Sequence, residues 1–287
     1  MTESAAAPVC SAHPDRVSYI VCTRCGRPIC PDCMVQAPVG FQCRECVAQA
    51  SGRTPQPTTR AGGRPVGRPV VTFTLIGINV VAFLLQFLIG VDRVANNLGM
   101  WPVGIAAGNE WWRLLTSAFL HGSFLHIAFN MYVLFALGPS LERILGHARY
   151  LVLYLMAALG GAVASYVFSD LRTVSVGASG AIFGLMGALV VAGRRLRYDI
   201  TQVLMLLGIN VVIGFLQPGV DWRAHLGGLV TGAAVAAIFV LPKRGHRTLV
   251  QVIGVVGLLL IFAAIIMWRT DQIMQFLAPI GEVTLNA

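Results

Sequence analysis

A single serine, Ser179, stands among glycines in V-G-A-S-G-A-I-F-G, at the start of an apolar run. At the first turn of a helix its hydroxyl would lie beside backbone N–H groups that lack intrahelical partners, and beside the positive end of the helix dipole. A tetrahedral oxyanion formed at Oγ would meet those donors without rearrangement. The same position suits a plain N-cap, and the short G-A-S-G pattern leaves both readings open. A serine becomes a nucleophile when a base takes its proton. His225, at the start of a later apolar run, could be that base; its alternative is a histidine bonded to a neighbouring loop. A third cluster, H-G-S-F-L-H-I-A-F-N, sets His126 and Asn130 four residues apart on one helical face, both able to donate to an oxyanion. His121 falls roughly 140° off that face and is expected to brace the entry turn, with Ser123 as N-cap. Together these residue types describe acyl transfer by a serine–histidine pair.

Positioning them falls to membrane helices. The chain of 287 residues is 56% hydrophobic and 11% charged, against about 25% charged for a soluble domain. Apolar runs at Val71–Ile89, Phe119–Gly138, Tyr150–Phe168, Ala178–Gly193, Ile200–Leu216, Ala224–Leu241 and Val250–Trp268 predict seven spans. The net charge of +9 would suit nucleic acid in a soluble chain. Here most arginines flank apolar runs, so topology explains them and no nucleic acid is expected. Arg60, Arg64 and Arg68 precede the first span; Arg143 and Arg149, then Arg194, Arg195 and Arg197, then Lys243, Arg244 and Arg247 fall on the same side if spans alternate. This predicts a multi-pass protein of the cell membrane with a cytoplasmic N-terminus. Residues Met1–Pro8 show neither the basic region nor the apolar core of a cleavable signal.

With that orientation, Ser179, His225 and the His126–Asn130 pair all lie at the outer starts of even-numbered spans. Polar groups in lipid are costly and face a protein interior or a wet cavity. Gly228 and Gly232 share a face with His225, and Gly180, Gly184 and Gly187 form a matching stripe behind Ser179. Two such surfaces can cross closely enough to join hydroxyl and imidazole. A transporter or channel would instead spread its polar groups along the full depth. Asp221, four residues before His225, is set aside as a third triad member. Phe183 could stack on His225 or simply fill the core. Glu110, Trp111, Trp112 and Arg113 are expected to anchor at the headgroup boundary.

All seven cysteines lie between Cys10 and Cys46. With His13 they form four C-x-x-C/H pairs: Cys10 and His13, Cys22 and Cys25, Cys30 and Cys33, Cys43 and Cys46. Eight ligands suffice for two tetrahedral zinc sites. The segment has too few large apolar residues for a core, so metal would supply its folding energy. A disulfide framework is disfavoured by the odd count and the arginine-rich flank. Residues 51–70, rich in Pro, Thr, Gly and Arg, are predicted to be a flexible linker.

The cysteine segment resembles B-box-type zinc fingers. That resemblance implies that alternate pairs share a metal, with Cys10, His13, Cys30 and Cys33 on one ion and Cys22, Cys25, Cys43 and Cys46 on the other. Two structural zinc ions follow; and because the segment has no basic stripe suited to a nucleic-acid groove, a protein contact or a regulatory role is expected of the finger. The membrane part, from H-G-S-F-L-H-I-A-F-N through G-A-S-G to A-H-L-G-G-L-V-T-G, with W-W-R before the second span, resembles the rhomboid intramembrane serine proteases. The implied fold is an all-α membrane protein: a zinc-binding domain at 1–50, a linker at 51–70, a six-helix rhomboid core at 71–241, and an extra transmembrane helix and outer tail at 242–287. The implied roles are Ser179 as nucleophile, His225 as base and acid, and His126, Asn130 and the Ser179 N–H as oxyanion hole. Catalysis would need no cofactor, and the substrates would be transmembrane proteins in the bilayer. The alternative within the family is a catalytically silent relative that binds or escorts membrane proteins.

Overall fold

The structure, a computed structural model, describes residues 7–53, 58–59, 61–196, 199–217 and 219–285. Residues 54–57 and Arg60 of the predicted linker, and Arg197 among the loop charges, lie outside the described residues. The chain divides into two compact units, Met1–Pro57 and Thr58–Ala287.

The first unit is built around sulfur. A hairpin of β1 (Met34–Gln36) and β2 (Phe41–Cys43) pairs Met34 with Cys43 and Gln36 with Phe41. It leads into α1 (Arg44–Arg53), which runs three residues past the predicted start of the linker. The buried apolar cluster holds six cysteines and Ile29. After Cys25 the chain turns through Gly26 at φ 73°, left-handed backbone that glycine adopts without a Cβ penalty.

The second unit is helical: α2 (Val70–Ile89), α3 (Val91–Leu98), α4 (Pro102–Gly108), α5 (Arg113–Thr116), α6 (Phe124–Leu145), α7 (His147–Phe168), α8 (Ser179–Leu196), α9 (Thr201–Leu216), α10 (Trp222–Val240) and α11 (Arg247–Leu285). Six of these, α2, α6, α7, α8, α10 and α11, are long and apolar enough to cross a membrane. At the fifth predicted span, Ile200–Leu216, stands α9, apolar but only 16 residues long.

Several boundaries differ from the sequence reading. The second span begins at Phe124 rather than Phe119, because Ser123 caps it by accepting from His126 N; Ser117–Phe119 is a separate 3-10 turn. The second and third spans are separated by Gly146 alone, at φ 86°. Arg143 and Arg149 therefore sit in terminal helical turns, where a loop was predicted. The final helix is 39 residues long and continues well past Trp268.

Small residues set the packing of α7, α8 and α10. A Cβ on Gly228 would lie 1.9 Å from Gly180 O, and one on Gly232 would lie 2.1 Å from Gly184 O, so the backbones of α8 and α10 touch. Gly160 of α7 makes room for the side chain of Thr231 on α10, whose Oγ1 would lie 2.0 Å from a Cβ there. The fully buried Glu142 near the end of α6 accepts from Val71 N and Thr72 N at 2.9 Å, Thr72 Oγ1 at 2.7 Å and His147 Nδ1 at 2.5 Å. A carboxylate at the open N-terminus of α2 satisfies donors that have no other partner.

The connection between α2 and α6 is structured. The side chain of Arg113 is buried: its Nε donates to Glu110 Oε2 at 2.6 Å, and its Nη1 donates to Asn96 O and Gly99 O at 2.9 Å. Placing Arg113 at the headgroups is thereby corrected, because its buried guanidinium is tied to Glu110 and to two carbonyls of this connection. Trp111 and Trp112 remain exposed. Met100 exchanges two 2.9 Å backbone hydrogen bonds with Ser175, tying the connection to the segment before α8. Ile273 of α11 packs into the same apolar cluster as Met100, Ile105 and Tyr166, and Tyr166 Oη lies 2.7 Å from Thr270 Oγ1.

Candidate active site

Ser179 opens α8, and the approach to it depends on Gly177. That glycine has φ 141°, and its N–H donates to Ser117 O at 2.9 Å. A Cβ there would lie 2.9 Å from both Cε1 and Nε2 of His126 and 3.4 Å from Ser179 Oγ. Only glycine both adopts this backbone and lets the His126 ring approach the serine.

Across the crossing of α8 and α10, His225 Nε2 lies 2.8 Å from Ser179 Oγ. This is hydrogen-bond distance between a potential nucleophile and a base. Phe183, one turn after Ser179, stacks on the imidazole with centroids 4.2 Å apart and planes within 12°. The ring platform, rather than undirected core filling, describes this contact. Asp221 is occupied elsewhere: it caps α10 by accepting from Arg223 N and Ala224 N, and it takes a short hydrogen bond from Ser165 Oγ. No carboxylate among the described residues bonds the His225 ring.

His126 brings its ring to the opposite side. Gly122 N–H donates to His126 Nδ1 at 3.4 Å. An Nδ1 that accepts leaves the proton of the neutral ring on Nε2, the atom facing Gly177 and Ser179. Asn130 is buried below, and its Nδ2 donates back to His126 O at 2.8 Å. His121 is fully buried in the entry turn. Its backbone N–H donates to Gln86 Oε1 at 2.9 Å, and its ring meets that of His126 edge-on at 5.1 Å. Burial, and then the neighbouring His126, pushes its pKa down to about 3. Gln86, Ser117, Met100 and Gly122 escaped the sequence reading. Their contributions are backbone contacts or single polar atoms inside apolar runs, and no local pattern marks them. Behind the first turn of α8 a cavity of about 20 Å³, lined by Met100, Ser117, Val176, Gly177 and Gly180 among others, has room for one water.

In the N-terminal unit the ligand atoms of Cys10, His13, Cys30 and Cys33 lie within 4.8 Å of one another, as do those of Cys22, Cys25, Cys43 and Cys46. His13 Nδ1 is 3.3 Å from both Cys30 and Cys33 Sγ, and Cys25 Sγ is 3.9 Å from Cys43 Sγ. A tetrahedron with metal–sulfur bonds of about 2.3 Å has edges near 3.8 Å, so both donor sets fit zinc. Arg27 Nε, 3.4 Å from Cys25 Sγ, and the Cys43 N–H, 3.3 Å from Cys22 Sγ, would steady the thiolates. None of the seven cysteines is in a disulfide.

The Rhomboid domain family matches residues 108–242, and the B-box zinc finger family matches residues 6–37. The chain is 38% identical over 187 residues to the rhomboid protease GluP of Bacillus subtilis, an alignment covering 62% of this chain and 36% of GluP. It is 35% identical over 188 residues to the "Putative rhomboid protease YdcA" of the same bacterium, covering 61% of this chain and 91% of that protein. It is 29% identical over 216 residues to the rhomboid protease AarA of Providencia stuartii, covering 63% of this chain and 76% of AarA. With six helices of spanning length among the described residues, this is a multi-pass membrane protein.

Proposed function

Because this chain belongs to the rhomboid family, we propose that it is an intramembrane serine endopeptidase, with Ser179 as nucleophile and His225 as general base and acid. The observation that carries the proposal is the 2.8 Å contact between Ser179 Oγ and His225 Nε2. His225 takes the hydroxyl proton as Oγ attacks a peptide carbonyl. The negative charge on the carbonyl oxygen meets the Ser179 N–H at the open end of α8, with His126 Nε2–H and the Asn130 amide on the other side. His225 then returns the proton to the leaving amine. Water, activated by the same imidazole, hydrolyses the acyl-enzyme. Phe183 holds the imidazole plane, which leaves a dyad rather than a triad.

The substrate must offer an extended peptide, since a helical carbonyl is already hydrogen-bonded. This favours transmembrane segments with Gly or Pro near the membrane boundary, the residues that most weaken a helix. Arginines on the face opposite Ser179 put the N-terminus in the cytoplasm and the cleavage site toward the outer face. Cys10, His13, Cys30 and Cys33 would hold one zinc ion, and Cys22, Cys25, Cys43 and Cys46 a second. Zinc there supplies folding energy to a unit that lacks an apolar core. A proteoliposome assay with a transmembrane substrate tests the reading. Wild type is expected to cleave, and Ser179→Ala and His225→Ala each to lose cleavage while remaining folded; unchanged cleavage by Ser179→Ala overturns it.

A further inference from the structure

On the membrane face opposite Ser179, three distant segments converge. They are the turn at Ala61–Gly63, the first turn of α7 with Arg149, and the start of α11 with Arg247. Ala61 is fully buried, and its carbonyl accepts from Gln251 Nε2 at 3.1 Å. Gln251 is itself buried; it also donates to Phe239 O at 2.9 Å, and its Oε1 accepts from Arg149 Nε at 2.9 Å. Arg247 Nε reaches Pro242 O at 3.5 Å. Each guanidinium thus spends Nε on the scaffold. Between them lies Gly62: a Cβ there would be 3.2 Å from Arg247 Nη1 and 3.7 Å from Arg149 Nη2. Two half-buried cations share one corner, and neither has a carboxylate partner among the described residues.

Like charges meeting over Gly62, with no partner for their Nη groups among the described residues, favour an anion. We propose that Arg149 and Arg247 form a phosphate-binding corner that takes the headgroup of an anionic phospholipid from the leaflet opposite the active site. Guanidinium forks match phosphate oxygens in geometry as well as charge. Basic pockets between transmembrane helices are a recurrent way to hold such headgroups. Gly62 keeps the floor of the corner open. The site ties α7 and α11 to the segment that enters the first span.

The test is native mass spectrometry of the detergent-solubilised full chain titrated with phosphatidylglycerol or phosphatidylcholine. Wild type is expected to retain phosphatidylglycerol preferentially. Arg247→Gln should weaken that binding by about tenfold or more, and Arg247→Lys should keep part of it. Arg143→Gln removes an exposed arginine from the same face and is expected to bind like wild type, which separates the corner from bulk charge. Phosphatidylglycerol is expected to stay bound in millimolar inorganic phosphate; its displacement would assign the corner to the free ion and overturn the lipid assignment. Equal retention of both lipids, wild-type binding by Arg247→Gln, or equal loss in Arg143→Gln would overturn the proposal.

Discussion

Replacing Gly228 with alanine tests the link between helix packing and chemistry. The new Cβ would stand 1.9 Å from Gly180 O and 2.6 Å from Gly180 C. Both are backbone atoms, so no side chain can swing away. Reaching ordinary van der Waals contact requires α8 and α10 to part by about 1.5 Å, at a typical overpacking cost of about 1–3 kcal/mol. Gly180 adjoins Ser179, and Gly228 is one turn from His225, so the opening falls on the 2.8 Å contact. That distance would grow to roughly 4 Å, past hydrogen-bond reach. A misplacement of about 1 Å costs on the order of 100-fold in rate. The assay compares kcat/KM on a transmembrane substrate, per folded molecule, with thermal unfolding followed in the same detergent. Gly77→Ala is the control: nothing lies within 4 Å of a Cβ there, and helix propensity favours alanine by up to about 1 kcal/mol. A folded Gly228→Ala protein with wild-type turnover would refute the argument that glycine contact positions the dyad.

Glu142→Ala strands the donors of Val71, Thr72 and His147. It is expected to destabilise the membrane unit by about 1–3 kcal/mol for each buried donor left unsatisfied, read as a fall in thermal midpoint, with Glu142→Gln less severe. Zinc analysis of the full chain is expected to find two ions. Chelation should unfold residues 7–53, seen as proteolysis confined to that unit, and Cys30→Ser should retain a single zinc. His121, held at about 3 when folded against about 6.5 when unfolded, binds fewer protons in the folded state. Its contribution is complete above about pH 6.5 and is lost as pH falls toward 3; the thermal midpoint should drop across that window, and His121→Phe should flatten the slope.

The parts of the site that repeat along one helix were legible in the sequence. The spacing of Gly228 and Gly232, and of Gly180 and Gly184, announces a close crossing because a helix puts such residues on one stripe. The spacing of His126 and Asn130 announces a shared face for the same reason. The cysteine pairs were equally plain, since a C-x-x-C turn is local. What stayed hidden depends on partners far away in sequence. Arg113 beside two tryptophans carries the signature of a headgroup anchor; its burial is decided by Glu110 and two carbonyls of the preceding connection. The Gln86–His121 exchange joins residues 35 positions apart, and the buried Ala61 meets Gln251 across 190. Ser123 was legible as the cap of the second span although the apolar run begins at Phe119, whereas the single glycine Gly146 that alone separates the second and third spans outweighed hydropathy unannounced.

In the proposed mechanism Ser179 is a nucleophile activated by His225. Labelling the purified protein with a fluorophosphonate probe, and mapping the adduct by peptide mass analysis, tests it most directly. One adduct on Ser179 is expected, with no labelling in Ser179→Ala and strongly slowed labelling in a folded His225→Ala variant. An adduct on another residue, or labelling of Ser179 that is indifferent to His225, would contradict it.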